Sequence, residues 1–582
     1  MPLLDAVNGL QYAVASLGAP RRLGGIEEYL FVYDNGDPMT PELVQSWSYN
    51  DQGTQFTFTL KEGIPFNPPR GLESVDFGEV NALEVTAWLN RLNSRTNPGS
   101  VAGDAGDYAA VFGTANNVDD YTVVLDLWEP VFHCVPLSQY GCLNADRGIS
   151  KVTHADTYGE AWALDHHVGT GPFVLGQCRA NDSCTLHAVE NHWRQTPRIA
   201  EYKGIHVPDG NSRLSLVRTG LADIAEVSYG LLSEVNDDSR LRFLNTMPGS
   251  YVGESVMFSG NMWEEIHARE RYPLNSWNSE PYLRDYPWIG DPWQEQWPGL
   301  TRYQDTDNPP GMTDMEQARL VRLALSTAID RNRIAFSIFD GMGIPLYSEY
   351  MGPEYPGWDP DRLTGAWDYR GNRIQPSATV QPVRWKLDDA EFVTAGDLLT
   401  AAGYPIVGGS RPNFGTIVLE RYSAELGDVN FAMADFIAAD WRRLGIDVQL
   451  ENVNYGGDIL PRMQQRNQFN PILKNGDVHS NVIPLDHPFP ATDTSATRPA
   501  WGTGIESPAA ARWLFAMFAE RDKARREAIH LDWVDYSVFW VQYAGVVQAP
   551  KGVIVNDRIA SWVGRQEFFT NVSRNPEFIV LN

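Results

Sequence analysis

The chain has 582 residues, 43% of them hydrophobic and 12% aromatic, enough apolar material for large cores and two or three domains. A formal charge of -28 sets up a surface that repels phosphate, which excludes nucleic acid as a partner and suits a well-solvated protein. No apolar run approaches the ~20 residues that a membrane-spanning helix needs.

The first residues, Leu3 to Gly18, read as a helix or an irregular segment rather than a clear strand. Pro41 to Phe66 then changes period twice. It reads as a helical turn ending near Trp47, a short strand, a turn at Asn50-Asp51-Gln52-Gly53, and a strand in which Phe56, Phe58 and Leu60 alternate with Thr57 and Thr59. Such a hairpin buries one face. Phe77 to Asn93 follows as an amphipathic helix with Val80, Leu83, Ala87 and Asn90 along its side, and Asn97 to Asp107 is loop-like. Strands at Pro172 to Leu175 and Leu186 to Val189 enclose Arg179 to Ser183. Leu214 to Arg218 is helical until Gly220 stops it, and Ile224 to Val227 is a short strand.

Asn261 to Pro310 is different in kind. It carries Trp263, Trp277, Trp288, Trp293 and Trp297 among many prolines, with no sustained period. A segment this long is functional or disordered as a rule, and its aromatics argue against disorder. It is expected either to wall a ligand cleft or to cover the outside of the second half. Thr313 and Glu316 then make a capping-box pattern, opening a helix whose stripe runs through Leu320, Ala324 and Ala328. Asp388 to Ala402 is a second helix, with Asp388 and Glu391 in the same pattern. Thr416 to Val453 reads as a βαβ unit: a strand at Ile417 to Leu419, a helix from Asp428 to Leu444 capped by Gly445, and a strand through Ile446, Val448 and Leu450. Trp47, Trp441 and Trp533 are expected in cores.

Four cysteines fall into two local pairs, Cys134 with Cys142 and Cys178 with Cys184. Even count and local spacing suit disulfides in an oxidising compartment, and a Cys178–Cys184 bridge would pin the ends of a hairpin. Four buried thiols are the alternative, since neither pair has the spacing of a zinc site. Met1-Pro-Leu-Leu-Asp5 lacks the marks of a secretory signal, and no N-terminal Cys offers a lipid anchor.

Catalytic signatures are missing from the chain: there is no Gly-x-Ser-x-Gly elbow, no His-Glu-x-x-His and no Gly-x-x-x-x-Gly-Lys. Gly169-Thr-Gly171 precedes a strand and lacks a third Gly, which defeats a nucleotide-loop reading. His154, His166 and His167 read as surface or hydrogen-bonded histidines rather than metal ligands. Asp305 and Asp307 lack the closing Glu of a calcium loop. No cofactor and no metal is expected.

The order Pro-x-Leu-x-x-x-Trp, Asp-x-Gly, aromatic-Thr-Phe-x-Leu, Lys-x-Gly and Phe66 resembles family 5 of the bacterial extracellular solute-binding proteins, which contains dipeptide- and oligopeptide-binding components of ABC importers. The resemblance continues through Asp120-Tyr-Thr-Val-Val-Leu-Asp-Leu127, Gly169-Thr-Gly-Pro-Phe-Val-Leu175, Glu190-Asn-His-Trp193 and Gly220-Leu-Ala-Asp-Ile-Ala225. Beyond residue 310 it includes Ala324-Leu-Ser-Thr-Ala-Ile-Asp-Arg331 and Asp397-Leu-Leu-Thr-Ala-Ala-Gly-Tyr404. It implies an α/β, two-lobe periplasmic-binding-protein fold with mixed sheets, closing on its ligand by hinge motion. The implied first lobe is 1–258 plus 549–582 with an extra subdomain at about 46–164. The second lobe is 259–548, with the aromatic-rich insertion at about 261–310.

The resemblance also implies the function: a monomeric extracytoplasmic receptor, periplasmic or extracellular and tethered to the membrane in some precursors, that delivers a solute to an ABC permease. Peptide-binding members anchor the ligand's amino terminus on an Asp in a Trp-x-x-Asp-Tyr-x-Asp-Pro-like stretch. The matching region here, Lys474 to Asn481 and Pro484 to Pro488, departs from that pattern. Asp477 or Asp486 supplies the carboxylate in a peptide reading, with His479, Asn481, Trp501, Trp263 and Trp277 as further contacts. An oligosaccharide is the rival ligand, since sugar faces pack on Trp rings. Chelated metals and opine-like conjugates remain as other ligands. A glycan-acting hydrolase with paired carboxylates is the alternative from another class, although no spacing singles out a pair. A sensory or chaperone-like receptor of the same fold would differ only by its partner.

Overall fold

A computed structural model describes residues 24–34, 37–100, 112–127, 130–132, 148–179, 182–226, 229–246, 250–261, 265–266, 273, 285–290, 314–346, 366–367, 373–374, 394–422, 428–459, 461–462, 465–479, 506, 512–513, 516–517, 519–550, 552–563 and 575–582. The chain divides into two compact units. Unit 1 is the chain up to Ser250 with Phe518–Arg521 and Pro550–Asn582; unit 2 is Tyr251–Met517 with Asp522–Ala549.

Unit 1 opens with β1 (Phe31–Asp34) and β2 (Asp37–Pro41), an antiparallel pair. The hairpin is β3 (Val44–Tyr49) and β4 (Gln55–Leu60), and here the expected helical turn before Trp47 is corrected to strand. Val44 pairs with Leu60 and Tyr49 with Phe56, so a ladder of backbone bonds, irregular only between Val44 and Ser46, outweighs the local helical period. The turn forms as read, with Asn50 Oδ1 accepting from Thr54 N at 2.8 Å and Gly53 at φ +69°. The buried face belongs to β4, whose Phe56, Phe58 and Leu60 are fully buried. Trp47 is 40% exposed, which corrects its assignment to a core: it lies on the wet strand, edge-on to Phe31 at 5.3 Å.

Helix α1 (Ala82–Leu92) starts at an Asn81 cap that accepts from Glu84 N, five residues later than the periodicity suggests. The preceding Val80 donates instead to Ile64 O, in an extended segment. Its buried face is Val85, Trp88, Leu89 and Leu92, while Leu83 points to solvent, so the expected stripe is out of phase. β5 (Phe112–Asn117) and β6 (Thr122–Leu127) complete an antiparallel sheet in the order β3-β4-β6-β5. β7 (Phe173–Arg179), β8 (Ser183–Ala188) and β9 (Glu201–Ile205) form a second sheet. Within it Cys178 and Cys184 face each other in register and are joined by a disulfide, so these two are not free thiols. Helix α2 (Gly210–Arg218), capped by Asp209, leads to β10 (Ile224–Glu226) and β11 (Leu241–Leu244).

Unit 2 begins in β12 (Ser250–Met257) and continues through α3 (Asp314–Thr327), α4 (Arg331–Phe339), β13 (Ile344–Pro345) and the short pair β14 (Ala366–Trp367) and β15 (Arg373–Ile374). Helix α5 (Ala395–Ala401) has a complete capping box between Thr394 and Asp397. Thr394 is extended, so the helix expected from Asp388 cannot run through it; Asp388, Glu391 and Thr313 lie outside the described residues. The βαβ unit is β16 (Thr416–Arg421), α6 (Asp428–Arg443) and β17 (Asp447–Asn452), with both strands parallel in register. Trp441 of α6 is fully buried and donates to Leu325 O at 2.9 Å. The Trp533 side chain lies outside the described residues. β18 (Ile472–His479), α7 (Lys523–Trp540) and β19 (Tyr543–Pro550) complete a six-stranded sheet ordered β13-β19-β12-β18-β16-β17.

The chain then returns to unit 1. β20 (Val553–Asn556) inserts between β10 and β11, and β21 (Ile559–Ser561) pairs with β22 (Val580–Leu581).

Candidate functional site

Several motifs of the first half are explained as scaffold. A side chain on Gly169 or Gly171 would meet Ile26 O at 2.1 Å or Gly25 O at 2.4 Å, so Gly-Thr-Gly permits close backbone approach and cradles no phosphate. His192 of the Glu-Asn-His-Trp motif bonds Thr170 O at 2.7 Å, tying the two motifs together. Beside it Arg194 meets Glu28 at 2.9 Å, Glu42 at 3.3 Å and Glu577 at 2.8 Å, all with buried side chains.

The histidines divide. His167 Nε2 lies 2.9 Å from Glu27 Oε1, to which Ser150 Oγ also donates. In this trio the carboxylate sits between hydroxyl and imidazole, so the His cannot take the Ser proton as a nucleophile's base would. His154 departs from the expectation of a surface or hydrogen-bonded group. It is buried, neither ring nitrogen has a well-formed hydrogen bond among the described residues, and burial pushes its pKa down to about 4. Among the described residues no group of three or more His, Cys, Asp or Glu is placed to hold a metal.

A different arrangement occurs in unit 2. From β16 the chain passes through α6 to β17 on one side, whereas β18 lies on the other side of β16 and also runs parallel to it. The strand order thus reverses at β16 and β18. In open α/β sheets, ligands bind in the crevice outside the carboxyl ends of the strands at such a reversal. β18 pairs with β16 only at Glu420↔Ile472 and Arg421↔Leu473, and Lys474 to His479 run on past the end of β16.

Two buried polar clusters hold this end. Glu420 accepts from Arg462 at 2.8 and 2.9 Å, from Gln468 at 2.9 Å and from Asn470 at 2.8 Å, and so anchors the approach to β18. Asn430, in the first turn of α6, bridges β12, β18 and the residue that follows β16. Its Oδ1 accepts from Tyr422 N, and its Nδ2 donates to Leu473 O and to Glu254 Oε2 of β12, each at 3.2 Å. Glu254 has no exposed surface, and its Oε1 has no hydrogen-bond partner among the described residues. Burial outweighs the Asn430 bond and pushes the Glu254 carboxyl up to about 8.

Glu254 is therefore protonated at neutral pH. The folded state keeps a proton that the unfolded carboxyl, near 4.5, has released. This contribution to stability is fully present below about pH 4.5 and is lost as pH rises through about 8. Glu254→Gln keeps the shape and does not titrate. Urea unfolding is expected to show its advantage over the wild type growing by about 4 kcal/mol between pH 5 and pH 8.5. A stability difference that does not change with pH would contradict the assignment.

Asp477 and His479 thus stand on the overhanging end of β18, although only their backbone is placed. Trp263, Trp277, Asn481, Asp486 and Trp501 lie outside the described residues, as do Cys134, Cys142, Asp305 and Asp307. Of the aromatic-rich segment, Trp288 is fully buried and donates to Phe469 O at 3.0 Å, and Tyr286 stacks on Phe469. Sequence reasoning passed over Glu254, Asn430 and Glu420, because nothing local marks a carboxyl or amide as buried.

A family model described as "Bacterial extracellular solute-binding proteins, family 5 Middle" matches residues 38–482. The probable ABC transporter periplasmic-binding protein SapA of Escherichia coli K12 is 30% identical over 233 residues, 37% of this chain and 41% of SapA. The chain thus aligns with about two fifths of that relative's length. Among solved structures, the periplasmic binding protein DppA of Helicobacter pylori in complex with peptide STSA superposes with a TM-score of 0.66 at 17% identity, covering 99% of this chain and 96% of DppA. NikA of Brucella suis in complex with Fe(III)-EDTA gives a TM-score of 0.66 at 16% identity, covering 99% of each chain. The fold is therefore the two-lobe α/β fold of periplasmic binding proteins, and the chain belongs to family 5 of the bacterial extracellular solute-binding proteins.

Proposed function

We propose that the chain is the extracytoplasmic substrate-binding component of an ABC importer, capturing a peptide between two hinged lobes and presenting it to a membrane permease. The observation that carries this reading is the overhanging end of β18 at the strand-order reversal, in a chain of this family. The proposed lobes are 1–258 with 549–582, including a subdomain at about 46–164, and 259–548, including the insertion at 261–310; they follow the two compact units except at 251–258, 518–521 and 549. The Cys178–Cys184 bridge supports an oxidising compartment, and no described helix is long and apolar enough to cross a membrane. The protein acts as a monomer and does not turn its ligand over.

Asp477 is the group that receives the ligand's amino terminus, with His479 and Asn481 beside it. Asp486, Trp501, Trp263 and Trp277 supply further contacts. Asp477→Asn is expected to weaken binding of a peptide with a free amino terminus by roughly 10- to 100-fold, the worth of a charge-assisted hydrogen bond, while barely changing affinity for the N-acetylated peptide. Calorimetry on both peptides measures this. Mass spectrometry of co-purifying solute identifies the ligand class: a peptide mixture supports the proposal, and a single uniform glycan overturns the peptide reading in favour of an oligosaccharide. Small-angle scattering should show contraction when the solute binds.

A further inference from the structure

β18 pairs with β16 only at Glu420↔Ile472 and Arg421↔Leu473, and Glu420 N donates to Pro471 O at 2.9 Å. Along a strand flanked on both sides, successive residues bond to opposite neighbours. Glu420 thus faces β18, Arg421 turns to β17, where its O accepts from Val453 N at 3.0 Å, and Tyr422 faces β18 again. In this register the next rung runs from Tyr422 N to Leu473 O, and the one after it from Asn475 N to Tyr422 O.

A side chain occupies that rung. Tyr422 N donates to Asn430 Oδ1 and Asn430 Nδ2 donates to Leu473 O, each at 3.2 Å, so one amide engages both backbone groups that the register aims at each other. A backbone N–H needs an acceptor and a carbonyl needs a donor, which fixes the orientation of the amide between them. The second Nδ2 hydrogen goes to Glu254 Oε2 at 3.2 Å, on β12, the neighbour of β18 on its far side. Asn430, Leu473, Tyr422 and Glu254 are all buried, where an unmade hydrogen bond is costly. Helix α6 backs the amide from behind: Met433, Ala434 and Ile437, within two turns of Asn430, are fully buried. The position would accept an apolar residue as far as helix packing goes, and only an amide serves both strands at once.

We infer that Asn430 is a positioning residue of the binding site: its amide is a wedge that keeps β18 from zipping further onto β16, and so sets the width of the crevice at the strand-order reversal and the path of Lys474–His479 beside it. Without the amide, Tyr422 N and Leu473 O become each other's partners, Asn475 N reaches Tyr422 O, and the overhang of β18 shortens. The consequence for ligand affinity rests on the function proposed above, whereas the wedge itself rests on the ladder.

Amide hydrogen exchange resolved to single residues, on the unaltered chain and on Asn430→Ala, tests it. The Tyr422 and Asn475 amides are expected to exchange at least about tenfold more slowly in the variant, because both gain direct ladder bonds, while affinity for an equimolar mixture of tripeptides falls at least about tenfold. An amide that merely stabilised the fold would give the opposite sign, faster exchange. Asn430→Ala combined with Glu254→Leu also removes the carboxyl that the single variant strips of its donor, and it answers the same question where the single variant does not fold. Exchange at Tyr422 and Asn475 that is equal to or faster than in the unaltered chain overturns the inference. So does slower exchange with unchanged affinity, which would leave Asn430 without a role in binding. Failure of every tripeptide to bind the unaltered chain would count against the peptide reading alone, and the exchange rates would still decide the wedge.

Discussion

Arg194→Met is expected to unfold unit 1 at far lower denaturant than the wild type, at a cost of about 3–5 kcal/mol, the range for breaking a buried ion pair from one side. One guanidinium serves three carboxyl groups whose side chains are 1–2% exposed. One cation cannot neutralise three anions, and the pKa values reflect this. Burial, followed by the charge of Glu42, pushes Glu28 well above the ordinary carboxyl value in spite of Arg194, and burial raises Glu577 as well. Arg194 itself is held charged by the same acids, which outweigh its own burial. Burial and the crowding of like charges thus favour the protonated form of these acids, and wild-type unit 1 gives up part of its stability as pH rises through those raised values.

Loss of Arg194 leaves the acids facing one another, so the deficit should be larger at pH 8 than at pH 5, where the carboxyl groups can be protonated. Arg194→Lys should fall between, because an ammonium cannot reproduce the two-nitrogen contact with Glu28. Chemical denaturation at both pH values, followed by a probe in each unit, provides the measurement. A loss below about 1 kcal/mol, typical of exposed ion pairs, would show the cluster to be an ordinary surface contact. The network matters because it joins distant stretches: Glu28 and Glu42 come from the start of unit 1 and Glu577 from its final return.

That joining shows what the sequence conveys and what it withholds. The β16–α6–β17 unit was legible because a period of two, a period of 3.6 and a Gly445 stop occur within forty residues. The turn at Asn50 to Gly53 was legible for the same local reason. The insertion of β20 between β10 and β11 leaves no such trace, since strand pairing across the chain is set by the pairing partners and not by period. Trp47 was misassigned because side-chain type reports an average tendency to be buried, while its strand presents four successive exposed residues. The site was the least legible part. Glu254 becomes a protonated, buried carboxyl only through the packing of β12 against Asn430, and Asp477 gains its position only when β18 overhangs β16.

Arg331, the last residue of the Ala324–Arg331 motif, gives the second large effect. Arg331→Met is expected to destabilise unit 2 by about 4 kcal/mol, the scale for removing a buried charged partner, while leaving unit 1 unchanged. The guanidinium donates to Leu346 O at 2.9 Å, Gly545 O at 2.8 Å, Ser326 O at 2.7 Å, Ile329 O at 3.2 Å and Ser326 Oγ at 2.9 Å. Four of these acceptors are backbone carbonyls from three places: the end of α3, the residue after β13, and β19. Substitution by Met keeps much of the packing volume but removes all five bonds; Ser326 O and Ile329 O keep the backbone donors Ile329 N at 3.3 Å and Arg331 N at 3.0 Å, while the ties to Leu346 O, Gly545 O and Ser326 Oγ are lost. Arg331→Lys offers three donors from one point and cannot span acceptors spread around a planar fork, so it should recover only part of the loss. Hydrogen exchange resolved by unit is the decisive measurement, with affinity for a bound peptide read in parallel. A scaffold role predicts that amides of α3, β13 and β19 lose protection while the affinity of the folded protein stays within a few-fold of the wild type. Unchanged protection together with lost affinity would move Arg331 from the scaffold to the binding surface.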